Sequence, residues 1–433
     1  MSPPGRAKGE DRSAQRAGIS TTAFAYRHGE LHAEGVPLST IAARFGTPCY
    51  VYSRAALENA YREFDAAFAD VSHLVCYALK ANSNLAILNL FARLGSGFDI
   101  VSGGELARVI AAGGDPAKVV FSGVGKTEDE MAQAIKAGIL CFNVESAGEL
   151  ERLNAVAGTL GKRAPVSFRV NPDVDPKTHP YIATGLKESK FGVAYEDAPG
   201  LFAHAATLPN IAVHGIDCHI GSQVTDLSAY VEASAKVMHL VDRIEAAGIP
   251  LRHIDLGGGL GIRYRDEETI DAYEYGLAVR QALGARAHRL LFEPGRFLVG
   301  NAGVLLTRVL YRKSNGDKEF IVVDAAMNDL IRPALYRAHH EIIPLRRSAL
   351  DLVTADVVGP ICETGDFLAR DRKMANVFPG DFLAVCSAGA YGFTQASNYN
   401  SRPRSPEVLV DGATYRVIRT RETYEDLVRG ETA

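Results

Sequence analysis

Leu74-Val75-Cys76-Tyr77-Ala78-Leu79-Lys80-Ala81-Asn82 begins as an unbroken apolar run and stops at a single amine. A short apolar run of this kind, bounded by polar residues, reads as a strand buried on both faces, as in parallel sheets covered by helices. A lysine delivered to the end of such a strand is positioned and poorly hydrated. Desolvation favours its neutral form, which can make a Schiff base with a carbonyl. Taken alone, Lys80 reads better as an ordinary solvated lysine; the rest of the chain changes that balance.

Seven similar runs follow at 98–101, 119–122, 140–144, 166–170, 213–219, 253–256 and 290–293, each succeeded by a helical pattern. Three of the helices open on capping boxes, Ser102 to Glu105, Thr127 to Glu130 and Ser146 to Glu149. A capping box straight after a strand marks a βα unit, and eight units in succession predict an α/β fold, a (β/α)8 TIM-type barrel. An open doubly wound sheet would place its phosphate glycines after the first strand, whereas Gly257-Gly258-Gly259-Leu260-Gly261 follows the seventh. Past residue 300 the alternation ends. Strand-like runs at 319–324, 352–358, 381–386 and 408–418 predict a second, all-β domain. The expected division is a flexible tail at 1–21, a segment at 22–48 that joins the β domain, the barrel at 49–300 and the β domain at 301–433.

Composition narrows the function. The balance of 47% hydrophobic and 23% charged residues is that of a soluble globular protein, and a net charge of −4 carries no nucleic-acid footprint. No apolar run approaches the ~20 residues that cross a bilayer. The six cysteines, Cys49, Cys76, Cys141, Cys218, Cys362 and Cys386, are scattered without metal-ligand spacing, which predicts a reduced, cytoplasmic protein and no metal. His339 and His340 lie in a polar stretch and are expected to face solvent.

Barrel enzymes work at the C-terminal ends of their strands, with phosphate sites often after strands seven and eight. Lys80 follows strand one here and His219 ends strand six. The Gly257–Gly261 cluster follows strand seven, and Glu293-Pro294-Gly295-Arg296 follows strand eight. Glycines let backbone N–H groups approach a phosphate, although a flexible turn explains the cluster equally well. Ser222 is a further phosphate donor or a helix cap. Glu293, a carboxylate ending a buried strand, needs a partner. Arg296 would make it a structural ion pair, and a protonated ring nitrogen would make that ring an electron sink. Lysine, carboxylate and cradle together describe pyridoxal 5'-phosphate; His219 suits a ring stacked on its face.

These residues resemble the barrel-type pyridoxal-phosphate-dependent amino-acid decarboxylases, on the branch that acts on meso-diaminopimelate. The resemblance runs from about residue 46 to 404. Its motifs include Tyr77-Ala78-Leu79-Lys80-Ala81-Asn82, Asp99-Ile100-Val101-Ser102-Gly103-Gly104-Glu105, His219-Ile220-Gly221-Ser222-Gln223, Arg332-Pro333-Ala334-Leu335-Tyr336, Gly359-Pro360-Ile361-Cys362-Glu363 and Gly389-Ala390-Tyr391-Gly392. It implies that Lys80 carries the cofactor, Glu293 meets its ring nitrogen and His219 its face. Gly257, Gly258, Gly259, Gly261, Ser222, Pro294, Gly295 and Arg296 would hold its phosphate, with Tyr391 beside cofactor and substrate. It also implies a homodimer in which Cys362 and Glu363 enter the partner's site, with Cys362 or a group working with it as proton donor. Arg296, Arg332 and Tyr336 suit a distal carboxylate and Glu363 a distal ammonium. The stretch from His179 to Gly185 is similar to the same branch. Thr364, Arg263 and Gln395 depart from the family pattern without removing a chemical group. Decarboxylases of ornithine, arginine or carboxynorspermidine, a racemase and a non-catalytic regulatory relative are the competing readings.

Overall fold

The computed structural model describes residues 23–175, 184, 189–347 and 351–433. The expected tail at 1–21, Thr22 and the 179–185 stretch apart from Thr184 lie outside the described residues. Two compact units divide the chain: residues up to Ala56 with Arg263–Glu267 and Asn301–Ala433, and Leu57–Ile262 with Glu268–Gly300.

In the first unit, β1 (Phe24–Arg27), β2 (Glu30–Ala33) and β3 (Val36–Pro37) make a small antiparallel sheet. The next strand, β4 (Cys49–Ser53), is buried at every position. The expected division places it in the barrel domain that begins at residue 49, but it pairs inside the second sheet. Both of its edges are hydrogen-bonded to strands that follow residue 300. It is therefore β4 that joins the β domain as a strand, while 24–37 is tied to it by the Glu30–Arg346 bridge and a Leu31 N–H to Leu345 carbonyl bond.

The second unit contains β5 (His73–Ala78), β6 (Gly97–Ile100), β7 (Val119–Phe121), β8 (Cys141–Val144), β9 (Ala164–Asn171), β10 (Val193–Ala194), β11 (Ile211–Asp217), β12 (His253–Asp255) and β13 (Arg289–Phe292). Eight of these pair in parallel in the order β5-β6-β7-β8-β9-β11-β12-β13, and β13 returns to β5 to close the barrel. The predicted runs coincide with these strands to within a few residues, and β10 is an addition beside β9. Leu74, Cys76, Val120, Cys141 and Leu291 pack as one buried cluster from four of the strands. Outside the barrel wall Phe68 lies 4.0 Å from Phe292, ring centre to ring centre, among Phe64 and Tyr275.

The three capping signals mark real helix starts, with a difference. Only Thr127 and Glu130 form the reciprocal box. Ser102 and Ser146 cap through their hydroxyls, but Glu105 and Glu149 accept from the amides of Val101 and Glu145, one residue before the cap. Each glutamate thereby satisfies the backbone just where strand leaves sheet.

The remaining strands are β14 (Gly303–Asn315), β15 (Lys318–Val323), β16 (Ile342–Pro344), β17 (Leu352–Val358), β18 (Phe367–Ala375), β19 (Phe382–Val385), β20 (Glu407–Asp411) and β21 (Thr414–Arg419). They form a sheet ordered β18-β17-β15-β14-β4-β20-β21, with β19 and β16 branching from β14. Its longest strand, β14, escaped the sequence reading because it is buried only in its first half and ends in charged residues. The run at 408–418 is a hairpin, turned at Gly412 with φ +60°.

His253, the first residue of β12, is buried against Cys141 Sγ at 3.7 Å. Burial, then the charges of His214, Arg289 and Arg252, push its pKa from 6.5 to about 3. The native protein keeps this ring neutral while the unfolded chain protonates it, so stability is lost as pH falls from about 6.5 towards 3, at ~1.4 kcal/mol per unit of depression. His253→Gln is expected to flatten that slope in chemical denaturation across this interval; curves that stay parallel would contradict it. Phe68→Ala is expected to destabilise the barrel by about 3–5 kcal/mol through the cavity left beside Phe292, measured by the same denaturation at neutral pH.

Candidate active site

The C-terminal ends of the barrel strands carry a dense set of ionisable groups. Lys80 stands in a single 3-10 turn directly after β5, and its Nζ lies 2.8 Å from Asp99 Oδ2 on β6. Asp99 is buried, so the ammonium is the charge that makes its ionised form tolerable.

Glu293, just past β13, is buried and accepts from Ser122 Oγ at 3.3 Å and Asn143 Nδ2 at 3.2 Å. It belongs to a trio with Asp217 at the end of β11 and Asp255 at the end of β12. One oxygen from each lies within 4.8 Å of the others. Arg169 on β9 approaches this acidity, at 4.0 Å from Asp217 and 3.6 Å from Glu145. Burial and then the mutual repulsion with Asp255 push Glu293 and Asp217 far above the usual carboxyl range. Burial raises Asp255 to about 7. Such a trio seeks a cation, whether a metal ion or a protonated ring nitrogen. Lys80 is near enough that its charge lowers the pKa values of both Glu293 and His219.

His219 accepts the Gly258 N–H at its Nδ1, 3.1 Å away, which leaves the ring hydrogen on Nε2. Burial, with the charges of Arg169 and Lys80, holds it neutral. The glycine loop is tight: a Cβ on Gly258 would sit 2.1 Å from the Glu293 carbonyl, and one on Gly259, at φ +103°, 2.1 Å from the Gly221 carbonyl. The predicted cradle needs correction in detail. The amides of Gly257, Gly258 and Gly261 are engaged by Asp255, His219 and Val224, so they shape the loop and are not free for a phosphate. Among the described residues the Gly259 amide has no protein partner. Beside this loop Arg296 Nη2 donates to Ser222 Oγ at 2.9 Å, at the start of the short helix Arg296–Val299 that follows Pro294 and Gly295.

In the other unit, Arg332 is buried, its Nη1 2.8 Å from His340 Nε2 and its guanidinium 4.6 Å over the Tyr264 ring. His340 is itself fully buried and bonded to the Cys386 carbonyl, which overturns its expected solvent exposure; a ring with both nitrogens satisfied loses nothing by leaving water. His339 bridges Glu341 and Arg372. The Tyr336 hydroxyl accepts from Gln395 Nε2 at 3.4 Å. Cys362 and Glu363 lie on an exposed loop, where the Cys362 N–H donates to Asn400 and the neighbouring Glu363 carboxylate raises the pKa of the Tyr399 hydroxyl. Tyr391 is held at φ +55°.

The sequence reading missed Asp217, Asp255, Arg169, Asn143 and Ser122 as site residues, and passed over Asp99 as part of a motif. For Asp217 and Asp255 the signal was available: each is a carboxylate in an apolar strand, the feature that singled out Glu293.

Pyridoxal phosphate needs an amine for its aldehyde, an acid for its ring nitrogen and an anion cradle for its phosphate. Lys80, Glu293 with its two aspartates, and the Gly259, Ser222 and Arg296 cluster supply donors of the right chemistry at one end of one barrel.

Residues 54–300 match the family model of the pyridoxal-binding domain of pyridoxal-dependent decarboxylases. The diaminopimelate decarboxylase of Pseudomonas aeruginosa is 60% identical over 94% of this chain and 98% of that protein. That of Neisseria meningitidis is 58% identical over 93% and 99%. Among solved structures, diaminopimelate decarboxylase from Helicobacter pylori complexed with L-lysine superposes with a TM-score of 0.88 at 44% identity, covering 90% of this chain and 98% of that one. The M. jannaschii enzyme in complex with L-lysine gives 0.91 at 38%, covering 95% and 98%. With its barrel, its lysine and its buried acids in place, the chain belongs to the pyridoxal-dependent decarboxylases, among the diaminopimelate decarboxylases.

Proposed function

We propose that this chain removes one carboxylate of meso-2,6-diaminopimelate to give L-lysine and carbon dioxide, the closing reaction of lysine biosynthesis. The observation that carries the reading is the Lys80 amine, paired with Asp99 at the mouth of a closed barrel, in a chain 50–60% identical to several diaminopimelate decarboxylases over nearly its whole length.

Bound pyridoxal phosphate supplies an aldehyde for the amines of lysine and substrate, and a ring that takes up the electron pair left by carbon dioxide. Lys80 would hold the cofactor through its amine, and Asp99, 2.8 Å away, would keep that amine in place when it is free. Glu293 would hold a proton at the ring nitrogen, and neutral His219 would face the ring. The Gly259 amide, Ser222 and Arg296 bind the phosphate. Arg332 and Tyr336 take the distal carboxylate and Glu363 the distal ammonium, a combination that an ornithine or arginine tail would leave half unmatched. Tyr391 borders cofactor and substrate. Cys362 would donate the proton that replaces the departed carboxylate at the α-carbon.

Two identical subunits share their sites in this reading, Cys362 and Glu363 serving the partner. The cytoplasm is the proposed compartment. Its support is that all six cysteines are unpaired thiols and that no helix among the described residues is long and apolar enough to cross a membrane.

Carbon dioxide release from meso-diaminopimelate, ornithine, arginine and carboxynorspermidine, measured side by side with and without added cofactor, tests the substrate; release from diaminopimelate no faster than from the others would defeat it. Lys80→Ala is expected to abolish the visible absorbance that borohydride bleaches in the parent. Cys362→Ala should keep that absorbance and turn over roughly 100-fold more slowly; undiminished turnover would remove Cys362 from the mechanism. Mixing the two variants should restore about a quarter of parental activity if subunits exchange and share sites, whereas no recovery after verified exchange would speak against sharing.

A further inference from the structure

We propose that Asp255, with Asp217 behind it, is a positioning residue for the proton on the cofactor's ring nitrogen: two buried carboxylates that act through Glu293 without touching the ring. The inference rests on the reading that Glu293 faces that nitrogen.

Geometry supplies the case. Oxygens of the three acids converge within 4.8 Å, and all three residues are buried. Asp255 is held in place because one of its oxygens accepts the Gly257 N–H at 2.9 Å. Its other oxygen, and Oδ1 of Asp217, are buried without a hydrogen-bond partner among the described residues. A buried carboxylate oxygen with nothing to accept is costly, and it signals a proton or cation that completes the cluster. The cation at hand, Arg169, stands at the edge, 4.0 Å from Asp217, and is shared with Glu145. Lys80 is turned to Asp99.

Acids crowded in this way share protons, because like charges this close resist simultaneous ionisation. Asp255 and Glu293 are close enough to share one. The cluster hands that proton to a ring nitrogen that arrives neutral, or releases it to solvent when the nitrogen arrives protonated. In either case the same final state results. The N–H bond points at Glu293; a cation held there favours ionisation of Asp255 and Asp217, which release their protons to solvent, and their negative charge behind the glutamate then makes loss of the ring proton harder. A single carboxylate could form the hydrogen bond; the two behind it keep the nitrogen cationic over a wider range of pH.

The test uses the full-length holoenzyme loaded with pyridoxal phosphate carrying nitrogen-15 in the ring. Its nitrogen shift, followed by solid-state NMR from about pH 6 to about pH 10, reports protonation directly. The parent should stay protonated throughout. Asp255→Asn, which keeps shape and removes charge, should lower the nitrogen's proton affinity at least ~10-fold, one pKa unit, and bring its titration into the window. Asp217→Asn should shift it in the same direction by less, and decides the matter if Asp255→Asn does not retain cofactor. Parental shifts in both variants would overturn the inference. Glu293→Gln separates this from the underlying reading: should its nitrogen also remain protonated, the assignment of Glu293 fails, whereas a neutral nitrogen there beside parental shifts in both aspartate variants defeats only the role given to Asp255 and Asp217.

Discussion

Parallel closure is the constraint from which the site follows. When β13 hydrogen-bonds back to β5, every barrel strand ends at the same rim, and the residue that terminates each apolar run becomes a neighbour of seven others. Lys80, Asp99, Asp217, His219, Asp255 and Glu293 are separated by up to more than two hundred positions in the chain. They share one feature: each lies within about two residues of the C-terminal end of a barrel strand.

That rim is electrostatically expensive. Acids that would be ionised in water are buried here, and local cations offset only part of the repulsion. Lys80 meets Asp99, and Arg169 is divided between Asp217 and Glu145. A site with such an excess of acid is preorganised for a positively charged guest, and its strained ionisation is the cost of having the charge already arranged when that guest arrives.

The barrel was legible because its eight runs are rich in apolar residues and three of them are followed by capping serines or a threonine. The β domain was less so. Strands such as β14 and β18 carry arginine, lysine and aspartate on a solvent face, and their identity depends on partners distant in sequence. The boundary near residue 49 failed for a related reason: nothing local in Cys-Tyr-Val-Tyr-Ser says that its neighbours are β14 and β20. At the site, single conspicuous residues such as Lys80 and Glu293 were readable. The trio was not, because convergence of three carboxylates is a property of the closed ring. The glycine loop shows the opposite limit, since composition marks a cradle but cannot say which amides the fold has already claimed.

The placement of β4 also bears on how the molecule is made. A ribosome releases these five residues early, whereas the strands that flank them emerge only after residue 303 and residue 407. The barrel can close on a growing chain; the β sheet has to wait, with a strand that the finished fold buries at every position exposed in the interval. Slow or interrupted synthesis past Gly300 therefore leaves a species with a finished barrel and an unpaired, adhesive strand, which makes that segment the natural point for chaperone capture or aggregation.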